Sequence, residues 1–223
     1  AALKVNHLEL YIEGAPFAYR SQRALWRDRD MLTGEELMRI DEYCRARFIE
    51  FVPTHNTFGH MGEWLTRLPR DMAMCPDGYQ NAWTGETDPP SSLDPFGAGC
   101  MPFLRTISDD LLSNFTADRF NVCCDEVNEL GQGSTAGLPP ERLGRVYLDH
   151  LLRLHAYCRQ HGKQMLFWGD IILHYPDLIA ELPHDVIALN WGYESDLPTE
   201  DSCAAFAAAG IPFCVCPGTG TWK

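Results

Sequence analysis

Two adjacent carboxylates, Asp125 and Glu126, close the apolar run Phe120–Cys124. Acids set against a buried segment cost free energy unless they meet partners or do chemistry. Neighbouring side chains on an ideal strand point to opposite faces, but a strand end can splay both toward one mouth. There, apolar or like-charged surroundings keep one acid protonated while the other stays ionised. That division suits a general acid working beside an electrostatic stabiliser. Acidic pairs on surfaces are commoner than catalytic ones, so the strand-end position is what gives this pair its weight.

Three tryptophans share that topological position: Trp168 in LFWGD, Trp191 in LNWGYE and Trp222 in GTGTW. Each sits at or just past the end of an apolar run. Gathered at one mouth, they would wall a pocket for the apolar faces of a sugar; taken singly, each reads better as ordinary core, and the shared position is what points to the pocket. Trp26, Trp64 and Trp83 lack the shared position and read as structural. In FVPTHNTFGH, His55, Asn56 and His60 follow another strand, where a His could pair with an acid and tune it. A lone His is more often a satisfied structural residue, but two His and one Asn at one strand end strengthen the functional reading.

The elements that must position these groups alternate. Val5–Ile12 reads as a strand. Thr33 with Glu36 forms a capping box for a helix that carries Leu37, Ile40 and Cys44 on one face. Phe48–Pro53 is the next strand, followed by a short helix around Trp64 and Leu68. Residues 69–102 are rich in Pro, Gly, Asp and Ser without sustained period, and read as a long loop or insertion. A helix over Phe103–Phe115 and the strand Phe120–Cys124 follow. Next come a glycine-bearing loop, Asn128–Pro140, and a long helix, Glu141–His161. That helix buries Leu143, Val146, Tyr147, Leu151 and Leu154, and Gly162 ends it. Met165–Trp168, Val186–Trp191 and Phe213–Cys216 are strands, with helices at Tyr175–Leu182 and Asp201–Ala209. Six strand–helix units of this kind predict an α/β fold with parallel strands and outer helices. Polar and aromatic residues recurring at strand ends favour a barrel over an open sheet.

Composition narrows the partners. Lys plus Arg number 18 against 31 Asp plus Glu, for a formal net charge of -13. That balance argues against nucleic acid or an anionic membrane surface and suits a neutral or cationic substrate. Nine cysteines, several inside apolar runs (Cys123, Cys124, Cys214, Cys216), read as small buried hydrophobes in a reducing compartment. The opening AALKVNHLEL does not resemble a signal peptide, so a cytoplasmic location is expected. No HxH, HExxH or paired CxxC motif is present, and neither a metal nor another cofactor is expected. The sequence does not fix an oligomeric state.

In order, FVPTHNTFGH, FNVCCDEV, LFWGDI and ALNWGYE resemble the catalytic domain of glycoside hydrolase family 20, the β-N-acetylhexosaminidases. The likeness runs through nearly the whole chain, residues 1–223, and is nearest to a bacterial branch with a His after a Phe-Gly pair. It implies a (β/α)8-type barrel. It also implies retaining exo-hydrolysis of terminal N-acetylglucosamine or N-acetylgalactosamine, with the substrate's 2-acetamido group as nucleophile. Glu126 would be the acid, Asp125 would orient and stabilise the acetamido group, and His60 would support the acid. Trp168, Trp191 and Trp222 would wall the pocket, and Asp170 would steady its floor. Asn56 and Glu13 would lie among the substrate contacts. The family's acetamido-binding Tyr and the sugar-gripping Arg of its first strand have no match, although Tyr193 is a candidate for the former. If Leu3–Glu13 is the second strand, the chain is expected to lack the first and eighth strands and to be a partial barrel. A non-catalytic carbohydrate-binding barrel and another barrel glycosidase remain the alternative readings.

Overall fold

The computed structural model describes residues 4–193 and 199–218. In chain order, β1 (His7–Glu9) leads through a short helix, α1 (Arg23–Trp26), to α2 (Gly34–Arg45) and β2 (Glu50–Val52). A one-turn helix, α3 (Gly62–Leu65), precedes a hairpin of β3 (Tyr79–Gln80) and β4 (Thr87–Asp88). Then follow α4 (Cys100–Leu112), β5 (Arg119–Asn121), α5 (Pro140–Gln160), β6 (Gln164–Trp168), β7 (Ile187–Gly192), α6 (Thr199–Ala208) and β8 (Phe213–Pro217).

Six of these strands form one parallel series. β1 pairs with β2, and β5, β6, β7 and β8 pair in that order. The two groups join just beyond β2, where Thr54 bridges Asn121 and Asn121 N–H donates to Pro53 at 3.0 Å. The antiparallel β3–β4 hairpin stands apart. The predicted alternation of strand and helix therefore holds.

Local physics explains the elements. Thr33 caps α2 as expected: its hydroxyl accepts from Glu36 N–H, and Glu36 accepts from Thr33 N–H at 2.9 Å. Leu37 and Cys44 are buried on its inner face. In α5, Pro140 fits the first turn, where its missing N–H is no loss. Val146, Tyr147, Leu148, Leu151, Leu154 and Cys158 recur at helical spacing and are buried. Gly162, at φ +66°, ends the helix in the left-handed region. Trp64 is fully buried and its indole donates to Gly14 O.

Several boundaries differ from the sequence expectation. β1 is shorter than Val5–Ile12. β2 excludes Phe48, which is 90% exposed at φ +59°. The strand expected over Phe120–Cys124 ends at Asn121, because Cys123 and Cys124 have φ of +59° and +67° and cannot continue a ladder. The helix expected from Phe103 starts at Cys100. Trp83, read as structural, is 89% exposed, and Cys214, read as buried, is exposed on β8.

Residues 69–102 are ordered. Beyond the hairpin, Ala73 bridges Leu93, and Met72, Met74, Cys75 and Leu93 are buried. The segment is tied to the array where Met61 N–H donates to Ser91 O at 2.7 Å and Leu93 N–H to Phe58 O at 3.0 Å.

Candidate active site

A cleft of about 600 Å³ opens at the ends of the parallel strands, lined by Tyr11, Glu13, His60, Asp125, Glu126, Trp168, Trp191 and Tyr193. Its construction begins beneath it. Asn121, the last residue of β5, donates through Nδ2 to Glu9 Oε2 at 2.7 Å and accepts from Cys123 N–H at 2.9 Å. Thr54 donates to the same Glu9 oxygen. That buried polar cluster turns the chain out of the sheet. The turn is pinned on other sides by Thr57, which donates to Val122 O at 2.6 Å, and by Tyr147, which donates to Cys124 O at 3.0 Å. Cys123, Cys124 and Glu126 all lie in the left-handed region, and so does His60 at φ +55°. Strained non-glycine backbone of this kind persists only where surrounding bonds over-determine it.

The result is a compact acid cluster around one histidine. His60 Nε2 lies 3.3 Å from Glu126 Oε2 and 3.6 Å from Asp125 Oδ2, and its Nδ1 is 3.6 Å from Glu13. Gly59 permits this approach: a Cβ there would fall 2.4 Å from the Asp125 carbonyl oxygen. Tyr11 donates its hydroxyl to Asp125 Oδ2 at 2.8 Å. Asp125 Oδ1 is buried and makes no hydrogen bond among the described residues. Asp170 stands behind the wall and accepts from Glu126 N–H at 2.9 Å.

Burial lowers the His60 pKa, but contact with Glu126 and the charges of Asp125 and Glu13 outweigh it and hold the ring at about 8. Burial raises Asp125, against His60 and the Tyr11 hydrogen bond. Glu126 is lowered, chiefly by His60 and against its own burial. Burial lifts Asp170 to about 7, against the bond from Glu126 N–H. Among the described residues, no group of three or more His, Cys, Asp or Glu is arranged to hold a metal ion.

The structure brings Asp125, Glu126, His60, Glu13, Trp168, Trp191 and Tyr193 to one cleft. Trp191 and Tyr193 lie 5.3 Å apart between ring centroids, with their planes tilted by 48°. Asn56 is buried and absent from the cleft wall, and Asp170 holds the acid loop from behind. His55 is a core residue, 3.0 Å from Ser108 and stacked on Tyr19. Trp222 lies outside the described residues. Sequence reasoning missed Tyr11, whose ring meets Trp168 edge-on at 6.0 Å. It sits two residues before Glu13, so its place at a strand end was the available signal.

A family model described as glycosyl hydrolase family 20, catalytic domain, matches residues 16–222. Hexosaminidase D of Bos taurus is 24% identical over 196 residues, which cover 81% of this chain and 52% of that protein. Beta-hexosaminidase 1 of Coccidioides posadasii is 23% identical, over 86% of this chain and 36% of its own length. The chain thus spans about half of the first of these relatives and about a third of the second. Among solved structures, Flavobacterium johnsoniae chitobiase superposes with a TM-score of 0.77 at 19% identity, over 97% of this chain and 34% of that one. A beta-N-acetylhexosaminidase from Bacteroides fragilis gives 0.73 at 17% identity, over 95% and 44%. These likenesses show the fold, a (β/α)8-type barrel of which the described residues form six parallel strands.

Proposed function

The chain belongs to glycosyl hydrolase family 20, and on that premise we propose that it carries the catalytic centre of a retaining exo-β-N-acetylhexosaminidase. Its substrates are glycans ending in N-acetylglucosamine or N-acetylgalactosamine. The observation that carries this reading is the consecutive pair Asp125–Glu126 at one cleft, with His60 against both acids and aromatic rings opposite.

Glu126, about half exposed at the rim, is placed to reach a leaving group. It donates its proton to the glycosidic oxygen as the C1–O bond breaks. The substrate's acetamido carbonyl oxygen bonds to C1, giving a cyclic oxazolinium ion. Asp125, with a buried acceptor that lacks a donor, takes the amide N–H and offsets the positive charge. Water then attacks C1 as the bond from C1 to the acetamido oxygen breaks and the amide re-forms, Glu126 accepts the water's proton, and the configuration is retained. A separate carboxylate nucleophile is unnecessary, in line with the substrate-assisted exception among glycosidases. Trp168, Trp191 and Tyr193 supply the apolar wall for the sugar.

Before substrate binds, the electrostatics run against these roles, since Asp125 is raised and Glu126 lowered. A leaving sugar over the rim strips water from Glu126 and raises its pKa, while an amide N–H on Asp125 lowers that of its acceptor. The substrate itself therefore sets the working protonation state. The nine free cysteines support a reducing, cytoplasmic setting.

The test is inhibition by a thiazoline mimic of the cyclised sugar, alongside turnover of an aryl N-acetylglucosaminide and the matching plain glucoside. Strong inhibition and an almost inert glucoside are expected. Efficient glucoside hydrolysis would sink the mechanism, and binding without any turnover would make this a carbohydrate-binding barrel.

A further inference from the structure

We propose that Tyr11 is a positioning residue that fixes the rotamer and the charge of Asp125. The proposal rests on the reading of Asp125 as the acetamido partner and deepens it. Tyr11 comes from the loop after β1, far in sequence from the acid pair, yet its hydroxyl reaches Asp125 Oδ2 at 2.8 Å. Trp168 braces the ring edge-on at 6.0 Å, and Tyr11 is itself part of the cleft wall. A carboxyl group rotates freely about its Cα–Cβ and Cβ–Cγ bonds unless something holds it. Here one oxygen is engaged by Tyr11 with His60 nearby, and the other is buried without a donor. Holding the first oxygen sets the direction in which the second must meet a substrate N–H.

The same bond acts on charge. Among the described residues, the titratable groups that face Asp125 are Tyr11, His60, Glu126, Cys123, Cys124, Tyr147 and Asp170. Of these only His60 can carry positive charge. Burial and the neighbouring carboxylates favour the protonated form of Asp125, and Tyr11 and His60 oppose them. Burial and the Asp125 charge both raise the Tyr11 pKa, so the phenol remains a donor wherever the enzyme works. Losing that donor raises the Asp125 pKa, and the ionised acid is lost at a higher pH than before.

The experiment is Tyr11→Phe in the whole chain. A hydrogen bond to a charged group implies a fall in kcat of about 10- to 100-fold on an aryl N-acetylglucosaminide, with little change in KM. The acid limb of kcat/KM moves up in pH while the alkaline limb stays. In an Asp125→Asn background, Tyr11→Phe adds almost no further loss, because the two residues act as one unit. Carbon-13 NMR of the Asp125 carboxyl, assigned through Asp125→Asn, follows the titration without needing turnover. Its midpoint should rise in Tyr11→Phe. An unmoved midpoint, additive losses, or a uniform loss with an unchanged pH profile overturns the proposal. If wild-type chain turns over no N-acetylhexosaminide, the catalytic reading fails, and the NMR midpoint still decides whether Tyr11 governs Asp125.

Discussion

Glu126 and His60 divide one proton problem between them. In the proposed mechanism Glu126 gives a proton to a departing oxygen, so its value depends on how badly that oxygen needs it. Glu126→Gln should cost about 10²-fold or more on substrates with poor leaving groups and much less on activated aryl glycosides. Equal losses on both would remove it from the acid role. Among the described residues His60 is the only cation that faces the acids in the cleft, held at about 8 by Glu126, Asp125 and Glu13 against its own burial. Its charge lowers Glu126 and restrains Asp125. Taking it away in His60→Gln raises both acids. The ionised stabiliser is then lost at higher pH, and the protonated acid survives to higher pH. Both limbs of the kcat/KM bell, which report the free enzyme, should therefore shift upward together. These limbs belong to the coupled cluster rather than to single residues. A profile that stays put, or an alkaline limb that moves down, would show that His60 does not set the protonation of the pair.

Elements deliver these residues through contacts that are close and mostly local in cause. Gly59 is the clearest case: its Cα packs against the Asp125 and Glu126 backbone, and a Cβ would lie 2.4 Å from the Asp125 carbonyl oxygen. Gly59→Ala must push the His60 segment off the acid loop. A misplacement of about 1 Å can cost about 10² in rate, so kcat should fall by that order. Overpacking should also cost about 1–3 kcal/mol of stability. Thr33→Ala is the contrast, since it removes the capping box of α2 far from the cleft. It should lower unfolding free energy by about 1 kcal/mol and leave kcat alone. Denaturant melts and steady-state rates on both variants separate these outcomes, and a Gly59→Ala enzyme with wild-type kcat would refute the close-packing argument. The capping box, α5 and the strand-end pair were legible in the sequence because each is set by residues a few positions apart. Gly59 was not, because a tight approach between segments more than 60 residues apart leaves no local pattern. Tyr11 sat in LELYIE as one more strand-compatible aromatic. Residues 69–102 showed no sustained period for a related reason: their contacts are with distant partners, such as Ser91 N–H donating to Glu129 at 2.9 Å.

For the molecule as a whole, six apolar runs made the parallel α/β fold readable and the polar and aromatic strand ends favoured a barrel, whereas the exact rungs depended on where buried Asn121 and its partner Glu9 turn the chain away. Charge is the other global property that composition exposed directly. The chain carries a formal net charge of -13, and three of the cleft-lining groups are Glu13, Asp125 and Glu126. A field of one sign in a walled cleft raises the local concentration of opposite charge and repels its own. Glycosidic bond cleavage builds positive charge at the sugar ring, so this field favours the transition state over the neutral ground state. A quaternary-ammonium ring analogue of N-acetylglucosamine should therefore bind about tenfold or more tightly than its neutral counterpart at low ionic strength. A sulfated or carboxylated counterpart should bind worse than the neutral one. The long-range share of the preference is screened as the Debye length falls from about 30 Å at 0.01 M to about 3 Å at 1 M salt, while direct pairing with buried Asp125 persists. Raising the pH through about 8 discharges His60 and leaves the cleft more negative, so the preference for the fixed cation should grow there. Inhibition constants for the three analogues, measured against salt and against pH, test all of this. Equal binding of cation and anion, or a cation preference that shrinks above pH 8, would show that the acid cluster does not act on the ligand as a field.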